Sequence, residues 1–222
     1  MIEWLLELLL PSRCASCGVS GPLLCSGCRG SLLPIRPPLC ALCGAPTAWP
    51  VARCRECAGR RLPFDSARAA ITYTGPARAL VRGWKERGLR PLTSVAADLV
   101  VEYVERPAAD LITYIPPDGD RSLRRGQQPA RALARELGRR WGIEVGPLLS
   151  RRGKVRRQAG LTLVERRRNM RGAFTAARPV PVAVALVDDV YTTGATVAAA
   201  AAALRTGGAT RVEVVSLARA VR

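Results

Sequence analysis

Histidine is absent from this 222-residue sequence. That absence excludes His-based catalytic triads, imidazole general bases and imidazole metal ligands. Any metal must then be held by cysteine or carboxylate, and any proton moved by carboxylate, lysine, tyrosine or the substrate. Aromatic residues are scarce at 5%, which disfavours base stacking as a way of gripping nucleic acid. Acids are in deficit: 35 Lys+Arg stand against 17 Asp+Glu, a net charge of +18. The balance suits polyanionic partners, either nucleic acid or phosphorylated metabolites, and equally suits an arginine-rich solvated surface. No apolar run reaches the length of a bilayer span. The opening stretch MIEWLLELLLP lacks a basic start and carries Glu3 and Glu7, so it predicts a short amphipathic helix docked on the protein rather than a secretory signal. The expectation is a cytoplasmic chain with no membrane insertion.

What the sequence has in abundance is paired cysteine. All eight cysteines fall within residues 14–57, as four C-x-x-C pairs, and the first and third pairs read CASCG and CALCG. Glycine after the second cysteine suits a tight knuckle whose N–H groups turn toward the thiolates. Two knuckles supply four sulfurs to one tetrahedral zinc. The repeat predicts two structural sites, Cys14, Cys17, Cys25 and Cys28, then Cys40, Cys43, Cys54 and Cys57; an interleaved arrangement, first pair with third, stays open. A disulfide framework would need a secreted chain, and thioredoxin-like chemistry a strand-to-helix turn, whereas these pairs sit among Gly and Pro. Four sulfurs on each ion leave no open position for catalysis.

Residues 58–66, AGRRLPFDS, mark a junction, and strand and helix patterns alternate beyond it. Strands are expected at 67–74, 109–117, 181–187 and 209–220, and helices at 75–88, 92–106, 128–142 and 195–208. The expected fold class is α/β, a mainly parallel sheet flanked by helices, preceded by a small double zinc-ribbon domain. The expected organisation is an N-terminal helix (1–12), the zinc ribbon (13–60) and the α/β domain (61–222). Trp84 and Trp141 fall in helices and are expected in the core.

Ligands of such sheets sit at the carboxyl ends of the strands. There the sequence reads ALVDDVYTTGATVAAA, residues 185–200. Strand 181–187 is expected to end at Asp188 and Asp189, with the turn Thr192–Thr196 opening a helix. A helix N-terminus exposes unpaired N–H groups and favours phosphate. The hydroxyls of Thr192, Thr193 and Thr196 add donors, while Gly194 and Ala195 let the backbone close in. Two adjacent carboxylates suit a vicinal diol. Phosphate at one end and a diol at the other describe ribose 5-phosphate. The plain alternative is a capped helix after a strand bearing two solvated acids.

ALVDDVYTTGAT resembles the phosphoribosyl-diphosphate loop of type I phosphoribosyltransferases. With the four cysteine pairs, VRGWKERG, YIPPDGDRSLRRGQQPARALA and KVRRQAGLTLVERRRNMRGAF, nearly the whole chain resembles the ComF family of competence-associated proteins. The resemblance implies that Asp188 and Asp189 hold ribose hydroxyls and that Thr192, Thr193, Gly194, Ala195 and Thr196 hold the 5-phosphate. It places Pro116, Pro117 and Asp118 near the leaving diphosphate, with Arg121, Arg124 and Arg125 as the cations around it. Lys85 matches a lysine of the family's first helix. The stretch 154–172 resembles a loop that closes over substrate, and Mg²⁺ is expected with the diphosphate. One segment departs: the family's Arg-Gly-aromatic-Asn-Gln is here Arg125-Gly126-Gln127-Gln128-Pro129, which leaves the acceptor unnamed.

Residues 151–172 crowd nine cations, among them Arg151, Lys154, Arg166 and Arg171. They suit a lid that meets only diphosphate, or a surface that tracks the phosphates of single-stranded DNA. Three functions remain: a ComF-type phosphoribosyltransferase acting with DNA in its uptake, a nucleobase-salvage phosphoribosyltransferase, and a catalytically silent adaptor that binds a helicase or other DNA-uptake protein. The zinc module favours the first and third; the paired acids favour the first two.

Overall fold

Parallel strands buried on both faces need uninterrupted apolar runs rich in β-branched residues. The carboxyl-terminal third of the chain supplies one such run, PVAVALV (181–187), and a second valine-rich stretch, VEVVSLA (212–218), that Glu213 and Ser216 interrupt. The structure, a computed structural model, describes residues 12–117, 128–152, 172–177 and 179–221. In chain order its elements are α1 (Ser26–Gly30), β1 (Ser66–Thr72), α2 (Gly75–Glu86), α3 (Leu92–Tyr103), β2 (Leu111–Tyr114), α4 (Pro129–Trp141), β3 (Glu144–Val145), β4 (Leu149–Arg151), β5 (Phe174–Ala176), β6 (Ala183–Tyr191), α5 (Ala195–Thr206) and β7 (Arg211–Arg219).

Five strands form one sheet in the order β1-β7-β6-β2-β3, and every pairing in it is parallel. β6 and β7 are central, and Val184, Ala185, Leu186 and Val187 have no solvent exposure. Helices α2, α3 and α4 cover one face, packing Leu80, Trp84, Leu99 and Leu133 against Ala185, Val187 and Val215. Helix α5 and the antiparallel hairpin β4–β5 cover the other, packing Val197, Leu204 and Phe174 against Val184, Leu186 and Val214. The alanine run of α5 suits both tasks: high helix propensity and a thin flank that lies close on the sheet. Proline at the start of α4 and Gly142 past its end bound that helix, as proline and glycine do at those positions.

The expected α/β arrangement is realised, with helices on both faces. Trp84 is fully buried and its indole N–H donates to Thr93 Oγ1 at 3.1 Å, while Trp141 packs half-buried against the same core. The hairpin β4–β5 and the short β3 were not anticipated, because strands of two or three residues carry no periodicity. One expectation is corrected. The strand of the paired acids does not stop at 187 but runs Ala183–Tyr191, pairing Asp188 with Ser216 and Val190 with Ala218. Both acids are therefore strand residues, and Asp188 is paired with β7.

The cysteine-rich segment lies along β1. Ile35 N–H donates to the Ala70 carbonyl and Thr72 N–H to the Leu33 carbonyl, with Pro34 opposite Ile71. This covers an edge that would otherwise offer unpaired backbone groups. Among the described residues no helix is long and apolar enough to cross a membrane.

Candidate functional site

Successive strand residues turn to opposite faces. Asp188 continues the row of Val184 and Leu186, and Asp189 that of Ala185 and Val187. Asp189 consequently meets α2, where its Oδ1 accepts from Lys85 Nζ at 2.6 Å. Burial opposes the charge on Lys85, but the carboxylates of Asp189 and Asp188 outweigh it and raise its pKa. Asp188 Oδ1 accepts the backbone N–H of Asp189 at 2.9 Å. Burial first, then the adjacent Asp189 charge, push the Asp188 carboxyl up to about 7 against the pull of Lys85 and Arg151.

Arg151 comes from β4. Its Nη2 donates to the Pro116 carbonyl at 3.3 Å, and its guanidinium lies 4.9 Å from the centre of the Phe174 ring. In sequence Arg151 is one cation of a basic run. Its special place depends on a contact spanning 35 residues, for which no local signal exists. Pro116 and Pro117 lie half-buried just beyond β2. Asp118, Arg121, Arg124 and Arg125, and the basic stretch from 153 to 171, lie outside the described residues.

The turn after β6 is built tightly. Thr192 is exposed and Thr193 buried; Thr193 Oγ1 accepts the Ala195 N–H at 3.2 Å. The Thr193 carbonyl accepts from Arg60 Nη2 at 2.8 Å. Gly194 caps α5 with φ +70°, and a Cβ there would come within 2.3 Å of the Tyr191 hydroxyl. Only glycine satisfies both conditions. Ala195 is buried and Thr196 half-buried. Lys85, Asp188, Asp189, Arg151 and the 192–196 turn thus gather at the carboxyl ends of β6 and β2. Two surface clefts, of about 540 Å³ beside Gly138 and about 460 Å³ between β5 and α5, lie elsewhere.

The cysteines resolve into two sets, Cys14, Cys17, Cys25 and Cys28, and Cys40, Cys43, Cys54 and Cys57, with the sulfurs of each set within 4.8 Å of one another. The interleaved arrangement is excluded. Sulfurs around a tetrahedral zinc lie about 3.8 Å apart, given Zn–S bonds of about 2.3 Å. Here Cys17–Cys25 is 3.7 Å, Cys40–Cys57 3.6 Å and Cys43–Cys54 3.5 Å, far too long for disulfides. Backbone N–H groups point at the sulfurs, Cys25 at Cys14 Sγ and Cys54 at Cys40 Sγ. Burial acts to raise the Cys14 and Cys40 thiols, but such backbone bonds prevail and lower them to about 6 and about 7. Both sets fit structural zinc.

Fold and cysteine sets together define an α/β protein with a mainly parallel central sheet flanked by helices, consistent with a phosphoribosyltransferase-like fold, and a double zinc ribbon on its amino-terminal side. A family model described as "Double zinc ribbon domain" matches residues 5–58. The chain is 30% identical over 228 residues to "DNA utilization protein YhgH" of Salmonella typhi, covering 96% of this chain and 99% of that protein. It is 29% identical over 209 residues to "Competence protein F" of Haemophilus influenzae, covering 89% and 90%. A similar match, 29% over 193 residues, is "DNA utilization protein YhgH" of Escherichia coli K12, covering 82% and 84%. The chain belongs to the ComF/YhgH family.

Proposed function

We propose that this protein binds phosphoribosyl diphosphate at the carboxyl end of β6 and works in the uptake or use of DNA. The observation that carries the first part is the pairing of a partly buried acid couple, Asp188 and Asp189, with the glycine-capped turn beside it. The carboxylates suit the ribose hydroxyls. Thr192, Thr193, Gly194, Ala195 and Thr196 suit the 5-phosphate at the positive end of α5. Arg151, and Arg121, Arg124 and Arg125 from the family resemblance, suit the diphosphate, whose accumulating charge is the obstacle to its departure. Transfer of the ribosyl group then needs no protein nucleophile, which agrees with a sequence that has no histidine.

Magnesium belongs to this reading. Among the described residues the groupings of three or more potential ligands are the cysteine sets. At the acids the donor set is two carboxylates, one already engaged by Lys85. An ion there would rest chiefly on oxygens of the ligand, with Asp188 as the available protein donor, and would neutralise diphosphate charge. The DNA part rests on relatives named for DNA utilization and competence, and on the net charge of +18. Those names favour this role over nucleobase salvage.

The test is calorimetry with Mg²⁺ and phosphoribosyl diphosphate on the wild type and on a variant carrying both Asp188→Ala and Asp189→Ala. Heat from the wild type alone supports the reading; equal heats from both proteins overturn it. For DNA, affinity for a single-stranded oligonucleotide should fall steeply with salt. A slope near zero would remove that part.

A further inference from the structure

Arg219, the last residue of β7, is a cation with 2% exposure. A buried charge is tolerable only when its surroundings compensate it. Its partners come from two separate places. On one side stands the second cysteine set: Nη1 donates to the Cys43 carbonyl at 2.6 Å, Nη2 lies 3.7 Å from Cys43 Sγ, and Nη2 pairs with Glu56 at 2.6 Å. On the other side its guanidinium stacks 4.6 Å from the centre of the Tyr191 ring. Tyr191 in turn is the strut under the turn, with its hydroxyl against Gly194. That hydroxyl is buried, with the Arg219 guanidinium as a polar neighbour.

A second link runs in parallel. Arg60, three residues beyond Cys57, donates to the Thr193 carbonyl. The cysteine set is itself seated on the sheet: Ala67 N–H donates to the Leu42 carbonyl, and a Cβ on Gly44 would strike the Ala67 carbonyl at 2.1 Å. Among the described residues the first cysteine set makes no bond to that turn. It is anchored on the helices instead: Arg87, at the end of α2, donates to the Ala15 carbonyl at 2.9 Å, and Arg29 pairs with Glu102 of α3.

We propose that Arg219 and Arg60 are positioning residues that tie the 192–196 turn to the second zinc centre, so that the metal there, and not the first, sets the turn's shape. Four thiolates on one zinc carry a net charge of about −2, a counter-charge that suits a buried guanidinium. The ion also keeps the Cys43 knuckle where Arg219 finds its carbonyl. Coupling of this kind is reciprocal: whatever fixes the turn must also steady the second metal.

This inference rests on the phosphoribosyl reading for its ligand, but its test has an arm that does not. Arg219→Met, Arg60→Gln and the control Arg87→Met are prepared with zinc content verified. Hydrogen exchange at amides 192–198 is measured without ligand. The expected result is about tenfold faster exchange in R219M, a smaller rise in R60Q, and no change in R87M. Zinc release to a chromogenic chelator should quicken for one ion of two in R219M. Phosphoribosyl diphosphate with Mg²⁺ should slow the same ion in the wild type and not in R219M. If R219M folds poorly, Arg219→Lys, which keeps the charge and loses the forked geometry, takes its place. Exchange and zinc release unchanged in R219M (or R219K) and R60Q overturn the proposal. A wild type that takes up no ligand sinks the phosphoribosyl reading instead, and the exchange arm still decides the coupling.

Discussion

Lys85 and Asp189 form an ion pair of 2.6 Å at the carboxyl edge of the sheet, joining the last turn of α2 to the central strand β6. The pair holds one of two adjacent carboxylates in place and offsets the repulsion between them. Lys85→Met is therefore expected to cost about 1–2 kcal/mol of stability, between the value of an exposed pair and that of a buried one. It should also weaken phosphoribosyl diphosphate binding at least about tenfold, since Asp189 loses the group that orients it. Denaturant unfolding and calorimetry check the two effects. Unchanged affinity would show that Lys85 serves the fold alone.

Asp188 makes binding depend on pH. Its carboxyl is pushed up to about 7 in the free protein, by burial first and then by Asp189. Ribose hydroxyls and a magnesium ion both favour the ionised form. Affinity should accordingly be low below about pH 6, rise through 7 and level off above 8, with a proton released on binding. Calorimetry in two buffers of different ionisation heat measures that release. Asp188→Asn should flatten the profile.

Gly194→Ala tests the turn. The added Cβ meets the Tyr191 hydroxyl, and the backbone sits at φ +70°, where a side chain is strained. A loss of about 2–3 kcal/mol is expected from strain and overlap together, along with loss of ligand heat. Adding Tyr191→Phe removes the nearest clashing atom but leaves the ring carbon that carried it 2.6 Å from the new Cβ, so only a small part of the stability should return. Full recovery would show that the oxygen alone carried the cost.

Metal removal is expected to act locally. The segment 14–57 has little apolar mass beyond its cysteines, so zinc binding supplies much of its folding energy. A strong chelator should release two zinc ions per chain, one from each cysteine set, and open that segment to protease. The core on either side of β6 should retain its circular dichroism. A protease pattern indifferent to complete metal removal would exclude a structural role for the ions.

Much was legible in the residues themselves. The spacing Cys14–Cys17 and Cys25–Cys28, repeated at Cys40–Cys57, announced two four-sulfur centres because C-x-x-C knuckles are local geometry. Valine-rich β6 and β7 and alanine-rich α5 announced buried strands and a covering helix because period and propensity are local too. The end of the strand that carries Asp188 and Asp189 lies a few residues beyond the sequence expectation, since the pairing that extends β6 to Tyr191 belongs to β7 and is not written in β6. Lys85 reaching Asp189, Arg151 reaching Pro116 and Arg219 reaching both Cys43 and Tyr191 are decisions of the tertiary structure. Side chains distant along the chain meet only after helices and strands have packed, and no local pattern encodes which cation ends beside which acid, carbonyl or ring.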